Sequence, residues 1–218
     1  MPTDLLATFK ERFSEARLHP YEVAAREDPQ LTIALYEWNI QIGSAFFEDI
    51  GVVEVLLRNA LDQTLREKYQ AHPDSEPWYE QNGVLLQTQF AAVDEAIKHF
   101  GDEYGEPDQD DVIAALPFGF WRNLLTPGYQ RLWLTLKEAF AYLPPRVSIR
   151  QADMCDHVSD LHELRNGIAH HDPIFDWNFK ASLTNLRRVG EPICPKTYAW
   201  LDSRSRVRDV LAADPRRA

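Results

Sequence analysis

The stretch Val52–Tyr69, VVEVLLRNALDQTLREKY, decides the fold class of this sequence. Its apolar side chains recur at every fourth position and form one face of an α-helix, namely Val53, Leu57, Leu61, Leu65 and Tyr69. Val52, Leu56 and Ala60 widen that face. An apolar face of this width has to be buried against other elements, so the stretch predicts a helix that faces the core.

Helical patterns extend over most of the rest of the chain. Leu31–Phe47 is rich in helix formers and aromatic residues, and Pro29 and Gly51 are expected to mark its two ends. No alternating strand pattern of useful length occurs, so we predict an all-α fold. Further helices are predicted at Gln87–Phe100, Leu116–Leu125, Tyr129–Tyr142 (ended by Pro144 and Pro145), Ser148 or Asp153 to about His171, Asn178–Arg188 and Lys196–Leu211.

The 218 residues are expected to form a single helical domain over residues 1–218, with residues 1–28 and 212–218 at its periphery. No apolar run is long enough to span a membrane, and the N-terminus lacks a secretion signal. Cys155 and Cys194 are the only cysteines, and they do not have CxxC spacing. We therefore expect a cytoplasmic protein with reduced thiols, no metal site and no cofactor.

The net charge of −11 limits how this protein can bind nucleic acid. Proteins that hold RNA or DNA through phosphate contacts usually present a basic face. Here 34 acidic residues outnumber 23 basic ones. Any phosphate chemistry must therefore take place in a local basic pocket, and a cationic partner is an alternative inference from the same charge.

The stretch Asp156–Pro173, DHVSDLHELRNGIAHHDP, carries the residues with the most chemistry. At about 100° per residue, one face of this helix is apolar and enters the core, with Val158, Leu161, Leu164 and Ile168. His162, Asn166 and His170 follow i, i+4, i+8 spacing on the opposite side, and Arg165 lies on the flank between. One helix edge thus presents two imidazoles, a carboxamide and a guanidinium.

These residue types suit cleavage of an RNA phosphodiester without a metal. Histidine titrates near neutral pH, so it can take a proton from a ribose 2′-OH or give one to the leaving 5′-oxygen. Arginine offers a fixed fork of donors to the phosphate and its developing charge. Asparagine can orient either the imidazole or the phosphate. Arg165, Asn166 and His170 are therefore the predicted catalytic residues, on a helix at about residues 153–171.

The segment Arg165–His170, RNGIAH, resembles the Arg–x4–6–His signature of HEPN ribonucleases. The wider run Leu164–Phe175, LRNGIAHHDPIF, is similar to the Abi-like branch of that family, which is linked to abortive infection of bacteria by phage. Two upstream segments, EVLLRNAL at Glu54–Leu61 and LPFGFW at Leu116–Trp121, resemble the same branch. Three matching segments in order make the resemblance more specific than the short signature alone.

The resemblance implies a HEPN-like helical bundle with additional helices. It also implies a homodimer with a composite active site and metal-independent cleavage of RNA to 2′,3′-cyclic phosphate ends. On this basis we expect an endoribonuclease that acts as a toxin or as a phage-defence effector, with an antitoxin or a regulatory RNA as a partner. The alternative is a non-catalytic HEPN module that binds RNA, a nucleotide or a protein.

Several assignments stay open at the level of the sequence. The signature allows either His170 or His171, and helical phase favours His170 because His171 turns back toward the apolar side. His171 is then expected to pack or cap the helix end. His162 is either an additional catalytic group or a surface histidine, and His157 is expected at the surface.

Two upstream groups of residues also have two interpretations. Glu54, Arg58 and Asn59 either support the catalytic helix from a neighbouring helix or form a structural polar network. Gln63 stands where a histidine would complete a second signature, so a second catalytic centre is not expected. The aromatic side chains of LPFGFW are expected in the core, and base stacking is the alternative.

Overall fold

The computed structural model describes residues 2–72, 74–105, 107–143 and 147–217. Within these ranges the chain forms α-helices and short 3-10 turns without a strand, which confirms the all-α class. The helices are α1 (Pro2–Phe13), α2 (Glu15–Ala24), α3 (Pro29–Tyr69), α4 (Gln87–Tyr104), α5 (Gln109–Ala115), α6 (Phe118–Leu124), α7 (Gln130–Leu136), α8 (Gln151–Ala169), α9 (Phe179–Ile193), α10 (Pro195–Arg204) and α11 (Val207–Ala212).

Helix α3 is the longest element, with 41 residues and a length of about 60 Å. Pro29 occupies its first turn, as predicted, and the Asp28 side chain accepts hydrogen bonds from the backbone N–H groups of Gln30 and Leu31. The prediction that Gly51 ends this helix was wrong, since the helix continues through it. A glycine costs a helix about 1 kcal/mol, and the buried apolar face on both sides of Gly51 outweighs that cost.

The other helices are arranged around α3. Helices α1 and α2 pack against it, and so do α8, α9 and α11. Its later half lies beside the connection between α3 and α4, where the indole N–H of buried Trp78 donates to Asp62 at 2.8 Å. Helix α8 lies between α6 and α9 and contacts α3 as well. Helix α8 is thus held in place by its packing against α3, α6 and α9.

Aromatic side chains fill the core near α6. Phe118, Phe120 and Trp121 are almost completely buried, and Trp121 packs against Trp78 with 6.2 Å between ring centroids. This confirms that the LPFGFW segment supplies core residues. Its rings are therefore not available to stack on bases.

Helix α8 begins and ends differently from the prediction. Its N-cap is Arg150, so neither Ser148 nor Asp153 caps it, and the Asp153 carboxylate instead pairs with Arg150 at 2.6 Å. The last helical residue is Ala169, and His170 is the C-cap. Helix α7 and the 3-10 turn after it end at Ala139, ahead of the predicted end at Tyr142. Pro144 and Pro145, predicted to end that helix, lie outside the described residues.

The two ends of the chain lie against the same region. Leu6 of α1 and Leu18 of α2 form a small apolar cluster with Ile33 of α3. Near the C-terminus, the Arg216 guanidinium forms ion pairs with Asp214 and Asp176, at 2.9 and 2.6 Å. These contacts fix α1, α2 and the last turn on the first half of α3.

Candidate active site

Helix α8 presents its polar edge as the periodicity predicts. Val158, Leu161 and Leu164 are completely buried. Arg165, Asn166 and His162 are half-buried on the other side of the helix. The packing of α8 against α3, α6 and α9 therefore fixes which face of the helix remains open.

Arg165, Asn166 and His162 form a contiguous group. The Arg165 guanidinium donates to the Asn166 side-chain oxygen at 3.4 Å. The Asn166 amide nitrogen lies 3.4 Å from both ring nitrogens of His162. Both contacts are longer than the usual 2.9–3.0 Å, and a nitrogen equidistant from both ring nitrogens makes no strong bond to either. The imidazole is consequently not locked into one tautomer.

Helix α6 covers the His162 ring from the other side. The ring centroid of Phe118 lies 5.6 Å from that of His162. A Cβ atom placed on Gly119 would lie 3.2 Å from His162 Nε2, so any larger residue at this position would push the imidazole aside by a few tenths of an ångström. Burial lowers the pKa of His162, and the positive charges of Arg122 and Arg165 lower it further. Burial and the two arginines therefore favour the neutral imidazole over the imidazolium.

The segment EVLLRNAL lies beside this group, on α3. Burial raises the pKa of the Glu54 carboxyl, while the charges of Arg165 and Arg58 act in the opposite direction. Arg58 donates to the Asn59 side chain and to the carbonyl of Ala114, both at 3.1 Å. The structure thus places Glu54 within the influence of both Arg165 and Arg58, whereas Asn59 accepts its hydrogen bond from Arg58.

Phe47, which the sequence did not single out, lies under Arg165. The guanidinium carbon of Arg165 is 5.8 Å from the centroid of the Phe47 ring, a cation–π contact. The Phe47 side chain is 45% exposed. The guanidinium is therefore held over an aromatic ring.

His170 and His171 lie in the turn that ends α8. The backbone N–H of His171 donates to the carbonyl of Ile168, and that of Asp172 donates to the carbonyl of Gly167. This is the Schellman pattern, which requires a left-handed residue, and His171 supplies it with φ 59°. Both imidazoles are exposed. His171 thus contributes to the helix end through its backbone.

Two side chains from outside α8 hold this turn. Arg17 of α2 donates to the carbonyl of His171. Asn39 of α3 donates to the carbonyl of Asp172 at 3.3 Å and accepts from the backbone N–H of Ile174 at 2.8 Å. Their donors and acceptors satisfy backbone groups of the segment that follows the helix.

A groove of about 810 Å³ adjoins the same turn. It runs between α2, α3 and the end of α8. Its walls are mostly aromatic and aliphatic, with Phe13, Tyr21, Tyr36, Phe47 and Ile168, while Arg17 and His171 are among its polar residues. Arg165 and this groove share Phe47 as a neighbour.

His157 is not the surface residue that the sequence suggested. Its ring is half-buried, and Nδ1 lies 2.9 Å from the side-chain oxygen of buried Asn185 on α9. The Asn185 amide in turn donates to Asp160 at 3.0 Å. His157 therefore belongs to the interface between α8 and α9, away from the group around Arg165.

Arg122 is the residue of this site that the sequence analysis missed. It follows the LPFGFW segment directly and lies on α6, which packs against α8. Because periodicity relates residues only within one helix, it gave no reason to place Arg122 near His162. The resemblance of LPFGFW to the Abi-like branch was the one signal that pointed to this helix.

Two absences concern the described part of the chain. No three His, Cys, Asp or Glu residues converge there in a way that would hold a metal ion. In that part, too, no helix is sufficiently long and apolar to cross a membrane.

Comparison with models of known protein families identifies the family of this chain. Residues 4–176 match the model of the Abi-like protein family. The chain belongs to the Abi-like family. The match includes α8 and the segments on α3 and α6 that surround it. No curated protein and no solved structure matches the chain.

Proposed function

We propose that this Abi-like protein is a metal-independent endoribonuclease. The observation that carries the proposal is the open edge of α8, where Arg165, Asn166 and His162 lie together and His170 stands exposed at the helix end. Phosphate-binding and proton-transferring groups are thereby placed in one region of an otherwise acidic chain. The family membership agrees with a role in abortive infection, as a toxin or phage-defence effector.

The reaction uses the ribose 2′-OH as its nucleophile. A neutral imidazole takes the 2′-OH proton while the oxygen attacks phosphorus. The bond from phosphorus to the 5′-oxygen breaks, and a protonated imidazole gives a proton to the leaving oxygen. Arg165 binds the phosphate and stabilises its added charge, and Asn166 orients the phosphate or the imidazole. The products are a 2′,3′-cyclic phosphate and a free 5′-OH.

We place the acid and the base on two copies of the chain. His170 is exposed at the end of α8 and so is accessible to a second protomer. A homodimer would bring the partner's His170 to the same phosphate, so that one imidazole acts as the base and the other as the acid. The exposed apolar side chains Ile40 and Phe47 of α3 lie on this side of the molecule and would be covered by such a contact.

Substitution of two residues tests this function. His170→Ala and Arg165→Ala should each lower the rate of RNA cleavage by at least about 100-fold, because they remove a proton-transfer group and a phosphate ligand. The matched control is His19→Ala, which removes an exposed histidine of α2. Cleavage and the end groups are measured on purified protein with added EDTA. Undiminished cleavage by both variants would refute the assigned site.

The same variants test the biological role. We expect the wild-type chain to arrest growth when it is expressed in bacteria without an antitoxin or regulatory RNA, and His170→Ala to relieve the arrest. Sequencing of RNA ends after brief expression identifies the cut RNA. Growth arrest by both proteins with no new RNA ends would contradict a ribonuclease toxin.

A non-catalytic RNA- or nucleotide-binding module is the second candidate function. The aromatic groove of about 810 Å³ beside His171 favours it, since its volume and walls suit a small planar ligand. Equilibrium binding of RNA at two salt concentrations discriminates between the two functions. Equal binding by wild type and His170→Ala without any product would support the binding module.

A further inference from the structure

We infer that Arg122 is a second phosphate-binding arginine, which forms with Arg165 a clamp for an RNA phosphodiester at the His162 ring. The inference rests on the proposed ribonuclease function and adds to it a residue on another helix. Arg122 comes from α6 and Arg165 from α8, so the clamp spans the interface of two helices that pack together.

Arg122 has no hydrogen-bond partner for its Nε among the described residues. Its Nε is buried and makes no hydrogen bond. The other half-buried arginines of the described chain all make one, namely Arg17, Arg58, Arg66 and Arg165. A buried donor without an acceptor is costly. A phosphate oxygen can approach the terminal nitrogens of this half-buried side chain, and a turn of the guanidinium would bring Nε into the same two-point contact with the phosphate.

The charge around His162 differs in sign from the net charge of the chain. Carboxylates exceed basic groups over the whole chain, yet neither Arg122 nor Arg165 forms an ion pair with a described carboxylate. Both charges act on His162, and among the groups that influence this ring only Glu163 opposes them. Glu54 also lies within the influence of Arg165 and of Arg58, so three guanidinium groups face two carboxyls around the ring, and this local excess of positive charge favours an anion.

A ligand can reach His162 and Arg122 from the solvent. The imidazole and the Arg122 side chain are half-buried, so both keep contact with solvent. Gly119 keeps the helix surface low beside Nε2 of the ring, where a Cβ atom would lie 3.2 Å away. The loose contact to Asn166, at 3.4 Å, leaves the ring nitrogens available to a ligand.

Binding of a non-cleavable RNA tests the clamp without using activity. A 2′-O-methyl oligonucleotide lacks the nucleophile, so its affinity can be measured by fluorescence anisotropy over a range of salt. Loss of one phosphate contact should reduce the slope of log affinity against log salt by about 0.7. We expect this change for Arg122→Gln and no change for Arg131→Gln, a charge-matched control on the exposed side of α7.

The His162 ring gives an independent readout. In an NMR titration of the free protein, its pKa should lie below 6.5. Arg122→Gln should raise the pKa, because a positive neighbour is removed, and added 2′-O-methyl RNA should raise it as well, because an anion stabilises the imidazolium. If Arg122→Gln does not fold, the titration of the wild-type protein with 2′-O-methyl RNA still tests the clamp.

The outcomes separate this inference from the proposed function. The clamp would be overturned if the salt slope of Arg122→Gln is unchanged or if Arg131→Gln loses as much slope as Arg122→Gln. It would also be overturned if added RNA does not shift the His162 signals. Each of these results would count against the clamp even if the protein cuts RNA. A slope that depends on Arg122 in a protein that cuts no RNA would support the clamp and refute the ribonuclease.

Discussion

At the scale of single residues, the turn after α8 distinguishes two adjacent histidines. His170 is the C-cap with its side chain in solvent, whereas His171 adopts φ 59° and lines the groove. Helical phase predicted the position of His170 on the polar edge. It did not predict the Schellman turn, because neither glycine nor asparagine occupies the left-handed position that would signal one.

His171→Gly should stabilise the protein and leave RNA cleavage intact. A left-handed conformation costs a residue with a Cβ about 1 kcal/mol, and glycine avoids that cost. The carbonyl that accepts from Arg17 is retained, because it belongs to the backbone. Urea unfolding and the cleavage assay measure the two effects, with His170→Ala as the inactive reference. Loss of cleavage in His171→Gly would contradict the assignment of the catalytic role to His170 rather than His171.

The site was predictable wherever one helix determines it. The spacing of α8 placed Arg165, Asn166 and His162 on a common edge, and the structure brings these three into contact. Arg122, Phe47 and Arg17 come from three other helices, and their approach depends on how those helices pack. Tertiary contacts of that kind leave no periodic pattern in a single sequence.

At the scale of elements, α3 shows where local preferences lose to packing. Gly51 suggested a break, yet the helix has buried residues on both sides of it, including Ile50 and Val53. Apolar periodicity gave the approximate bounds of α4, whereas α9 continues past the predicted end at Arg188 to Ile193, and the helix predicted over Lys196–Leu211 is divided into α10 and α11. The cap of α8 did not, since Arg150 fills it without a side-chain hydrogen bond.

Two glycine substitutions test this view of the helices. Gly51→Ala should stabilise the protein by about 1 kcal/mol, because a Cβ there meets nothing within 4 Å and alanine is the better helix former. Gly190→Ala, in α9, should instead destabilise it by about 1–3 kcal/mol, because the Cβ would lie 2.9 Å from the Tyr198 ring. Urea unfolding measures both. A destabilised Gly51→Ala protein would show that the glycine is needed.

At the scale of the whole molecule, the proposed dimer requires a contact surface near the end of α8. Ile40 is 55% exposed and lines the groove beside the end of α8. Exposed apolar residues that lie together commonly mark a contact surface. The second protomer is expected to cover this part of α3, where it would also reach His170.

Ile40→Asp should therefore abolish both the dimer and RNA cleavage, because a buried charge opposes association. His170→Ala should remain a dimer while it loses cleavage. Leu134→Asp is the control, since Leu134 on α7 is exposed to 66% and lies outside the groove. Sedimentation velocity reports the assembly state. A monomeric Ile40→Asp protein that still cuts RNA would rule out a composite site.

The bond from Arg17 to the His171 carbonyl has a consequence for the order of assembly. The two residues are 154 positions apart, and Asn39 reaches Asp172 across 133 positions. Contacts between such distant parts of a chain form late, because a large loop must close before they are gained. The bonds from Arg17 and Asn39 that hold the turn after His170 therefore form only when α2 and α3 have docked against it. For the proposed ribonuclease, this order would separate synthesis of the chain from cleavage of RNA in time.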